Sequence, residues 1–161
     1  MYTYYDFHKN KYKPKEIDEI DLNLLNSADM NSYVLSTIDT PIIGTYGLGP
    51  CVGLLFEDDI NNSCLGHIAA DYEQIIINMF SEMKSNNIKI TLVPGSFTTL
   101  RKINAIRNYI HTFPFNIDYE LKDLGSYLNK ECEGIEFAYD TRTKKFIKPD
   151  FDKYIEMKRG R

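Results

Sequence analysis

The chain has 161 residues, of which 43% are hydrophobic and 26% charged, and this length suits a single folded domain. Nine Phe and twelve Tyr supply large core side chains, which excludes an intrinsically disordered chain, and the lack of a long apolar run predicts no membrane insertion. The net charge of −4 excludes a general nucleic-acid binder, so we expect no nucleic acid as a partner.

The predicted elements begin after a polar N-terminal extension over residues 1–29, in which a short helix is expected near 18–27. Apolar and alternating patterns bounded by turn residues then predict eight strands. These strands lie at 33–38, 42–46, 52–57, 64–70, 88–93, 116–124, 134–139 and 144–148. The third and fourth strands are separated only by the polar loop 58–63, which predicts a β-hairpin.

Two segments have the apolar spacing of amphipathic helices. The first covers residues 72–83, with Asp71 as a candidate N-cap, and the second covers 99–112 and ends before Pro114. Helices with a single apolar stripe cover a sheet face. We therefore predict an α/β (α+β) fold, a single-domain layered sandwich of mixed β-sheet with two main amphipathic helices, over residues 30–148.

The C-terminal end differs in charge from the rest of the chain. Residues 141–161 contain eight Lys or Arg against three Asp or Glu, whereas residues 1–140 contain eleven against twenty. A terminal run of like charge is typical of a solvated tail, and a docking strip is the alternative. We predict a basic C-terminal tail over 149–161.

Three cysteines, Cys51, Cys64 and Cys132, are an odd number, and the first residues lack the basic and apolar order of a secretion signal. Both observations favour free thiols in a reducing cytoplasm. A zinc site that combines His67 with cysteines is the weaker alternative, because the chain has no CxxC pair. We therefore expect no metal and no cofactor, and we interpret Cys64 and Cys132 as structural thiols.

Cys51 is the thiol whose surroundings favour chemistry. It follows the bend Gly-Leu-Gly-Pro at 47–50 and precedes an apolar strand, an arrangement that presents its side chain at a strand end. His67 lies on the returning strand of the predicted hairpin, which brings it close to Cys51. An imidazole in that position takes the thiol proton and leaves a nucleophilic thiolate. Thr45, six residues before the cysteine, is in range to orient the imidazole through a hydrogen bond.

Each of these three residues also has a structural interpretation. Cys51 suits a small apolar residue of the core. His67 suits a histidine whose hydrogen bonds are satisfied within the core, and Thr45 suits a strand former. From the local sequence alone, both interpretations stay open.

These three residues also belong to a longer series of sequence motifs along the chain. Residues 45–53 are Thr-Tyr-Gly-Leu-Gly-Pro-Cys-Val-Gly, and His67 follows Cys-Leu-Gly. Further segments are Leu-Val-Pro-Gly-Ser at 92–96, Ala-Ile-Arg-Asn at 105–108, Asp-Leu-Gly-Ser at 123–126 and a closing hairpin at 134–148. In this order, over about residues 30–148, the chain resembles the chemoreceptor glutamine deamidase CheD family. A similar Cys–His arrangement occurs in toxin domains resembling the cytotoxic necrotizing factors.

The resemblance implies a cysteine-dependent protein-glutamine deamidase. Cys51 would be the nucleophile, His67 the general base and later acid, and Thr45 the residue that orients the imidazole. The partner would be a protein, one glutamine of which becomes glutamate while ammonia leaves through a Cys51 thioester. No small-molecule cofactor is implied.

Three versions of this function stay open. The first-guess substrate is a chemoreceptor in the bacterial cytoplasm. The second version is a secreted effector or toxin that acts on a host protein in the host cytosol. The third is a catalytically inactive, CheD-like binding module. Pro50 supports this third version, because it replaces the serine usual before the family's cysteine and has no N–H to donate.

Overall fold

A computed structural model describes residues 17–124 and 134–160 of the chain. Within them the chain forms two mixed β-sheets, one short 3-10 helix and three α-helices. In chain order the elements are the 3-10 helix Leu22–Leu24, β1 Leu25–Ser27, β2 Ser32–Leu35, β3 Ile42–Leu48, β4 Val52–Asp58, β5 Ser63–Ile68, α1 Tyr72–Glu82, β6 Asn87–Pro94, α2 Leu100–Ile110, β7 Asn116–Leu121, β8 Ile135–Asp140, β9 Lys145–Ile147 and α3 Phe151–Arg159. The predicted α/β (α+β) sandwich is confirmed.

The two sheets differ in strand order. The four-stranded sheet has the order β1-β3-β8-β9, and the five-stranded sheet has the order β2-β5-β4-β6-β7. β4 is the central strand of the larger sheet and pairs antiparallel with β5 and β6. Its pairing with β5 confirms the predicted hairpin, and the register places Gly53 opposite His67.

The five-stranded sheet is covered on both faces. Side chains along β4 alternate between the faces, so Leu54 and Phe56 pack in a cluster with α1 and α2, which we call the helix layer. Leu55 packs on the other face with Phe137 of the four-stranded sheet, in what we call the inter-sheet layer. Burial on both faces accounts for the nearly continuous apolar sequence of this strand.

The two main helices follow the predicted apolar stripes. The side chains that α1 and α2 bury are Ile75, Ile76, Met79 and Phe80, and Ile103, Ile106 and Ile110. The cap of α1 differs from the prediction, because the Asp71 carboxylate makes no capping hydrogen bond. Thr99 does cap α2, since its Oγ1 accepts a hydrogen bond from the N–H of Lys102 at 3.2 Å.

The N-terminal end departs from the predicted extension. Leu25–Ser27 forms strand β1, which pairs parallel with β3 and therefore belongs to the four-stranded sheet. The helix expected near 18–27 is only the 3-10 turn Leu22–Leu24. Leu25 is buried at this edge, so its apolar side chain holds the segment against the core. Residues 1–16 lie outside the described part of the chain.

The predicted basic tail contains a packed helix. α3 buries Phe151 and Tyr154 in a cluster with residues of the four-stranded sheet. Its cations Lys158 and Arg159 lie in the last turn, where the helix dipole favours positive charge. The charge count does not show the apolar pair Phe151 and Tyr154, which is spaced three residues apart. This pair is sufficient to pack one short helix against the four-stranded sheet.

No helix in the two described ranges is long and apolar enough to cross a bilayer. Two interpretations made from the sequence fall outside these ranges. One is the structural role of Cys132, and the other is the second half of the turn at 123–126.

Candidate active site

Thr45 and His67 meet between the two sheets. Thr45 lies on β3 and His67 on β5, and both are buried. Thr45 Oγ1 lies 2.8 Å from His67 Nδ1, which is a hydrogen-bond distance. The pairing of β3 with β8 shifts register after Thr45, where Gly47 adopts a φ of +70°, a value that suits glycine. This irregularity starts the bend that leads to Cys51.

The Thr45 hydroxyl determines which nitrogen of neutral His67 carries the proton. Thr45 Oγ1 lies 2.9 Å from the carbonyl oxygen of Ala28, and that oxygen can only accept, so the single hydroxyl hydrogen is donated there. Thr45 Oγ1 therefore accepts from Nδ1–H of His67. Nε2 keeps its lone pair, is buried, and has no hydrogen-bond partner among the described residues. This tautomer is the one a general base needs.

Cys51 lies on the same face of the five-stranded sheet as His67. His67 pairs with Gly53, and Cys51 precedes Gly53 by two residues and packs in the inter-sheet layer. Diagonal neighbours of this kind have α-carbons about 7–8 Å apart. A β-carbon on Gly53 would lie 2.8 Å from the ring of Phe137, so only glycine allows the sheets to pack this closely beside the thiol.

The loop that carries Cys51 is held by the segment 95–102. All four backbone carbonyls of residues 48–51 accept hydrogen bonds from this segment. The donors are, in that order, Ser96 N–H at 3.0 Å, Phe97 N–H at 3.1 Å, Lys102 Nζ at 3.2 Å and Thr98 Oγ1 at 2.8 Å. A β-carbon on Gly95 would lie 2.3 Å from the Gly49 carbonyl oxygen, so no other residue fits that position. The loop is thus fixed by a second element.

Burial and Lys102 set the charge states of the site. Burial raises the pKa of the Cys51 thiol, and the positive charge of Lys102 opposes that rise. Burial lowers the pKa of His67, and Lys102 lowers it further, whereas Asp29 raises it. At neutral pH the resting pair is therefore a thiol and a neutral imidazole. Such a pair reacts by general-base transfer of the thiol proton at the moment of attack.

Exposed apolar side chains lie around the site. Phe97 is 46% exposed, and its ring packs so closely on Gly49 that a β-carbon there would lie 2.7 Å from it. Leu100 at the start of α2 and Met30 in the β1–β2 loop are also exposed. The neighbour of Met30, Asn31, donates its N–H to the His67 carbonyl oxygen at 2.9 Å. Single exposed apolar residues are ordinary on a protein surface, and a contiguous patch of them marks a binding surface.

Cys64 differs from Cys51 in its surroundings. It is fully buried in the helix layer, and its Sγ lies 4.0 Å from the Met79 carbonyl oxygen. Burial, with nearby Glu82 and Asp58, raises the pKa of its thiol. No group of three metal-ligating side chains occurs within residues 17–124 and 134–160.

Sequence reasoning missed Ala28 and Lys102. Ala28 contributes only a backbone carbonyl, which no residue pattern reveals. Lys102 did leave a signal. It lies in the first turn of α2, which contains no acidic residue, although the dipole disfavours a cation there. Arg101 lies in the same turn, so this signal points to the helix start and the contact with Pro50 identifies Lys102.

No protein-family model and no curated protein matches this chain. The site is therefore interpreted from its own geometry, and the resemblance to the CheD family supports a proposal about function only.

Proposed function

We propose that the chain is a cysteine-dependent protein-glutamine deamidase, related to the CheD family. The observation that carries the proposal is the hydrogen-bonded series Ala28 O, Thr45 Oγ1 and His67 Nδ1. It leaves the unprotonated Nε2 buried on the sheet face that also carries Cys51. A nucleophile, a base and an orienting group in this relation are the parts of a cysteine hydrolase.

In the first half-reaction His67 Nε2 accepts the thiol proton of Cys51 as Sγ attacks the amide carbon of a glutamine side chain. The imidazolium keeps its Nδ1–H on Thr45 and donates the new Nε2–H to the amide nitrogen. The C–N bond breaks, ammonia leaves, and a thioester remains on Cys51.

In the second half-reaction water replaces ammonia. His67 Nε2 takes a proton from the water as its oxygen attacks the thioester carbon, and the C–S bond breaks. Sγ regains a proton and the glutamine has become glutamate. The sum is one water consumed and one ammonia released. The tetrahedral oxyanion of each step needs N–H donors. Pro50 supplies none, so the N–H of Cys51 is the nearest backbone candidate.

The substrate of this proposal is a protein. The exposed ring of Phe97 and the side chain of Leu100 give a partner an apolar surface beside the thiol. A chemoreceptor in the bacterial cytoplasm is the first substrate to test. A host protein reached by a secreted form of the chain is the second, because the reaction would be the same.

A catalytically inactive binding module is the competing function, and one observation favours it. Cys51 is only 3% exposed, so a glutamine side chain reaches it only when the residues that cover the thiol move. A module of this kind would keep the fold and the apolar surface without turnover.

Mass spectrometry of candidate substrates separates these functions. A chemoreceptor cytoplasmic domain and a whole-proteome extract are incubated with wild type, Cys51→Ser and Cys64→Ser, and glutamine-to-glutamate conversions are mapped by peptide. Conversion by wild type and Cys64→Ser, but not by Cys51→Ser, supports the deamidase. No conversion, together with a Cys51 thiol that iodoacetamide does not alkylate in the folded protein, supports the binding module.

A further inference from the structure

Lys102 occupies a position that its own helix disfavours. It lies in the first turn of α2, where the partial charge of the helix end is positive, and no acidic residue of that turn offsets it. Its side chain is half-buried, and burial lowers the pKa of its amine. Burial and the helix end both disfavour the charged amine, so an acceptor elsewhere in the fold stabilises it.

That acceptor lies in the loop that carries Cys51. Lys102 Nζ donates to the Pro50 carbonyl oxygen at 3.2 Å, which spans 52 positions of sequence. The titratable groups that face the site are the Cys51 thiol itself, His67 on β5, Lys102 on α2 and Asp29 in the β1–β2 loop. Of these, Lys102 is the group whose charge opposes the effect of burial on the thiol.

The contact with Pro50 also fixes a peptide plane. In a trans peptide the carbonyl oxygen of one residue and the N–H of the next point in opposite directions, and this chain has no cis peptide among its described residues. Because Lys102 holds the Pro50 oxygen, the N–H of Cys51 points away from the ammonium. Residue 50 is proline and has no N–H. The N–H of Cys51 is therefore the one backbone donor of this residue pair, and its direction matters more.

We propose that Lys102 is a positioning residue for Cys51. It anchors the peptide that joins Pro50 to Cys51, which directs the Cys51 N–H, and its positive charge stabilises the thiolate that forms when the thiol loses its proton. The inference deepens the proposed function, on which its role in turnover rests, whereas its effect on thiol ionisation does not depend on turnover.

The test measures the rate of Cys51 alkylation by iodoacetamide against pH, with the modified peptide identified by mass spectrometry. Lys102→Met removes the charge and the donor at similar length, Lys102→Gln keeps a donor without charge, and Lys102→Arg keeps both. Lys89→Met is the matched control, since Lys89 lies on β6 five residues before Pro94 and its ammonium lies 3.8 Å from the Glu120 carboxylate. Circular dichroism and thermal unfolding verify that each variant folds.

We expect the midpoint of the profile of alkylation rate against pH to move to higher pH in Lys102→Met and Lys102→Gln. At pH 7.5 their rates should fall by about three- to tenfold, because a neighbouring positive charge favours the thiolate. Lys102→Arg and Lys89→Met should match wild type. If Lys102→Met does not fold, Lys102→Gln carries the comparison. A wild-type profile in a folded, uncharged variant overturns the proposal whether or not a substrate is deamidated, and so does a wild-type Cys51 thiol that iodoacetamide does not alkylate at any pH.

Discussion

Two buried thiols lie on opposite faces of the five-stranded sheet, and their surroundings differ in kind. Cys64 lies in the helix layer among aliphatic and aromatic side chains. Cys51 lies in the inter-sheet layer, on the face that also carries His67, and its loop is bonded to Lys102. Both residues are cysteines with under 4% exposure, so burial alone does not separate them.

The two layers differ in the polar groups that enter them. The helix layer covers its sheet with apolar stripes from two helices, and the groups near Cys64 are the Met79 carbonyl oxygen and the carboxylates of Glu82 and Asp58, which raise the pKa of its thiol. The inter-sheet layer contains a hydrogen bond between Thr45 and His67, and the Ala28 carbonyl oxygen accepts the hydrogen of the Thr45 hydroxyl. Buried polar groups are retained where they are fully partnered or functional, and His67 Nε2 is buried without a partner among the described residues.

The largest expected effect comes from replacing each of the two cysteines with serine in a separate variant. Cys51→Ser should lower the deamidation rate by more than about a thousandfold, because a hydroxyl at this position is a far weaker nucleophile. Cys64→Ser should keep the rate and instead lower the free energy of unfolding by about 1–3 kcal/mol, because it buries a hydroxyl in an apolar cluster. Steady-state kinetics measure the deamidation rate of both variants, and urea unfolding measures their free energy of unfolding. Equal loss of rate in both would contradict the contrast.

Removal of the base should have the next largest effect. His67→Ala should lower the rate by about 10²- to 10⁴-fold, the range of general acid–base catalysis. His111→Ala is the matched control, because His111 is exposed at the end of α2 and its Nδ1 lies 2.8 Å from the Arg107 carbonyl oxygen. A His67→Ala variant that keeps full activity would rule out the proposed base.

Loss of the orienting hydroxyl should cost less. Thr45→Val keeps the shape but removes the acceptor for Nδ1–H, so His67 turns or changes tautomer, and the rate should fall about tenfold to a hundredfold. Thr45→Ser should retain most activity. Thr91→Val, a change at a second buried threonine on β6, controls for the loss of a core hydroxyl. If the Ser and Val variants at position 45 have the same rate, the hydrogen bond has no catalytic role.

The pH dependence should follow the lowered pKa of His67. Burial and then Lys102 lower that pKa below its ordinary value of 6.5, and only the neutral imidazole can accept the thiol proton. Activity should therefore rise with pH through a midpoint below 6.5 and be complete at neutral pH. Kinetics at fixed ionic strength measure this midpoint, and a midpoint above 6.5 would contradict the charge state assigned to the resting site.

Stability should depend on the same group. Below 6.5 the unfolded chain binds a proton at this histidine that the folded chain resists, so the free energy of unfolding falls as pH decreases through that window. Unfolding of His67→Gln, which does not titrate, should lack this part of the dependence. An identical pH dependence in wild type and His67→Gln would show that His67 is not the group responsible.

The smallest effect is expected at the apolar surface. Phe97→Ala should raise KM for a protein substrate severalfold with little change in kcat, because in the proposed complex the ring would contact the partner and not the reacting atoms. Leu121→Ala is the control, as Leu121 is similarly exposed on β7. A change in kcat alone would indicate instead that Phe97 stabilises the conformation of the Cys51 loop.

The sequence predicted the parts of this site that depend on strand pattern. Alternation and turn residues placed β4 and β5 in a hairpin, and that register puts His67 on the face of Cys51. It did not predict Ala28, because a carbonyl oxygen has no sequence signature and its segment is polar enough to resemble an extension. α3 was missed for a related reason, since the apolar pair Phe151 and Tyr154 is outnumbered by charges. Such contacts depend on which distant segments pack, which local patterns do not encode.

The most direct test of the central claim is the detection of the acyl-enzyme itself. A substrate, with the chemoreceptor cytoplasmic domain tried first, is mixed with enzyme, quenched in acid within the first turnover, and digested for mass spectrometry. The account expects a thioester between Cys51 and the carbonyl of one glutamine side chain, present with wild type and Cys64→Ser and absent with Cys51→Ser. Deamidated product formed by Cys51→Ser, or formed by wild type with the acyl group on another residue, would contradict it.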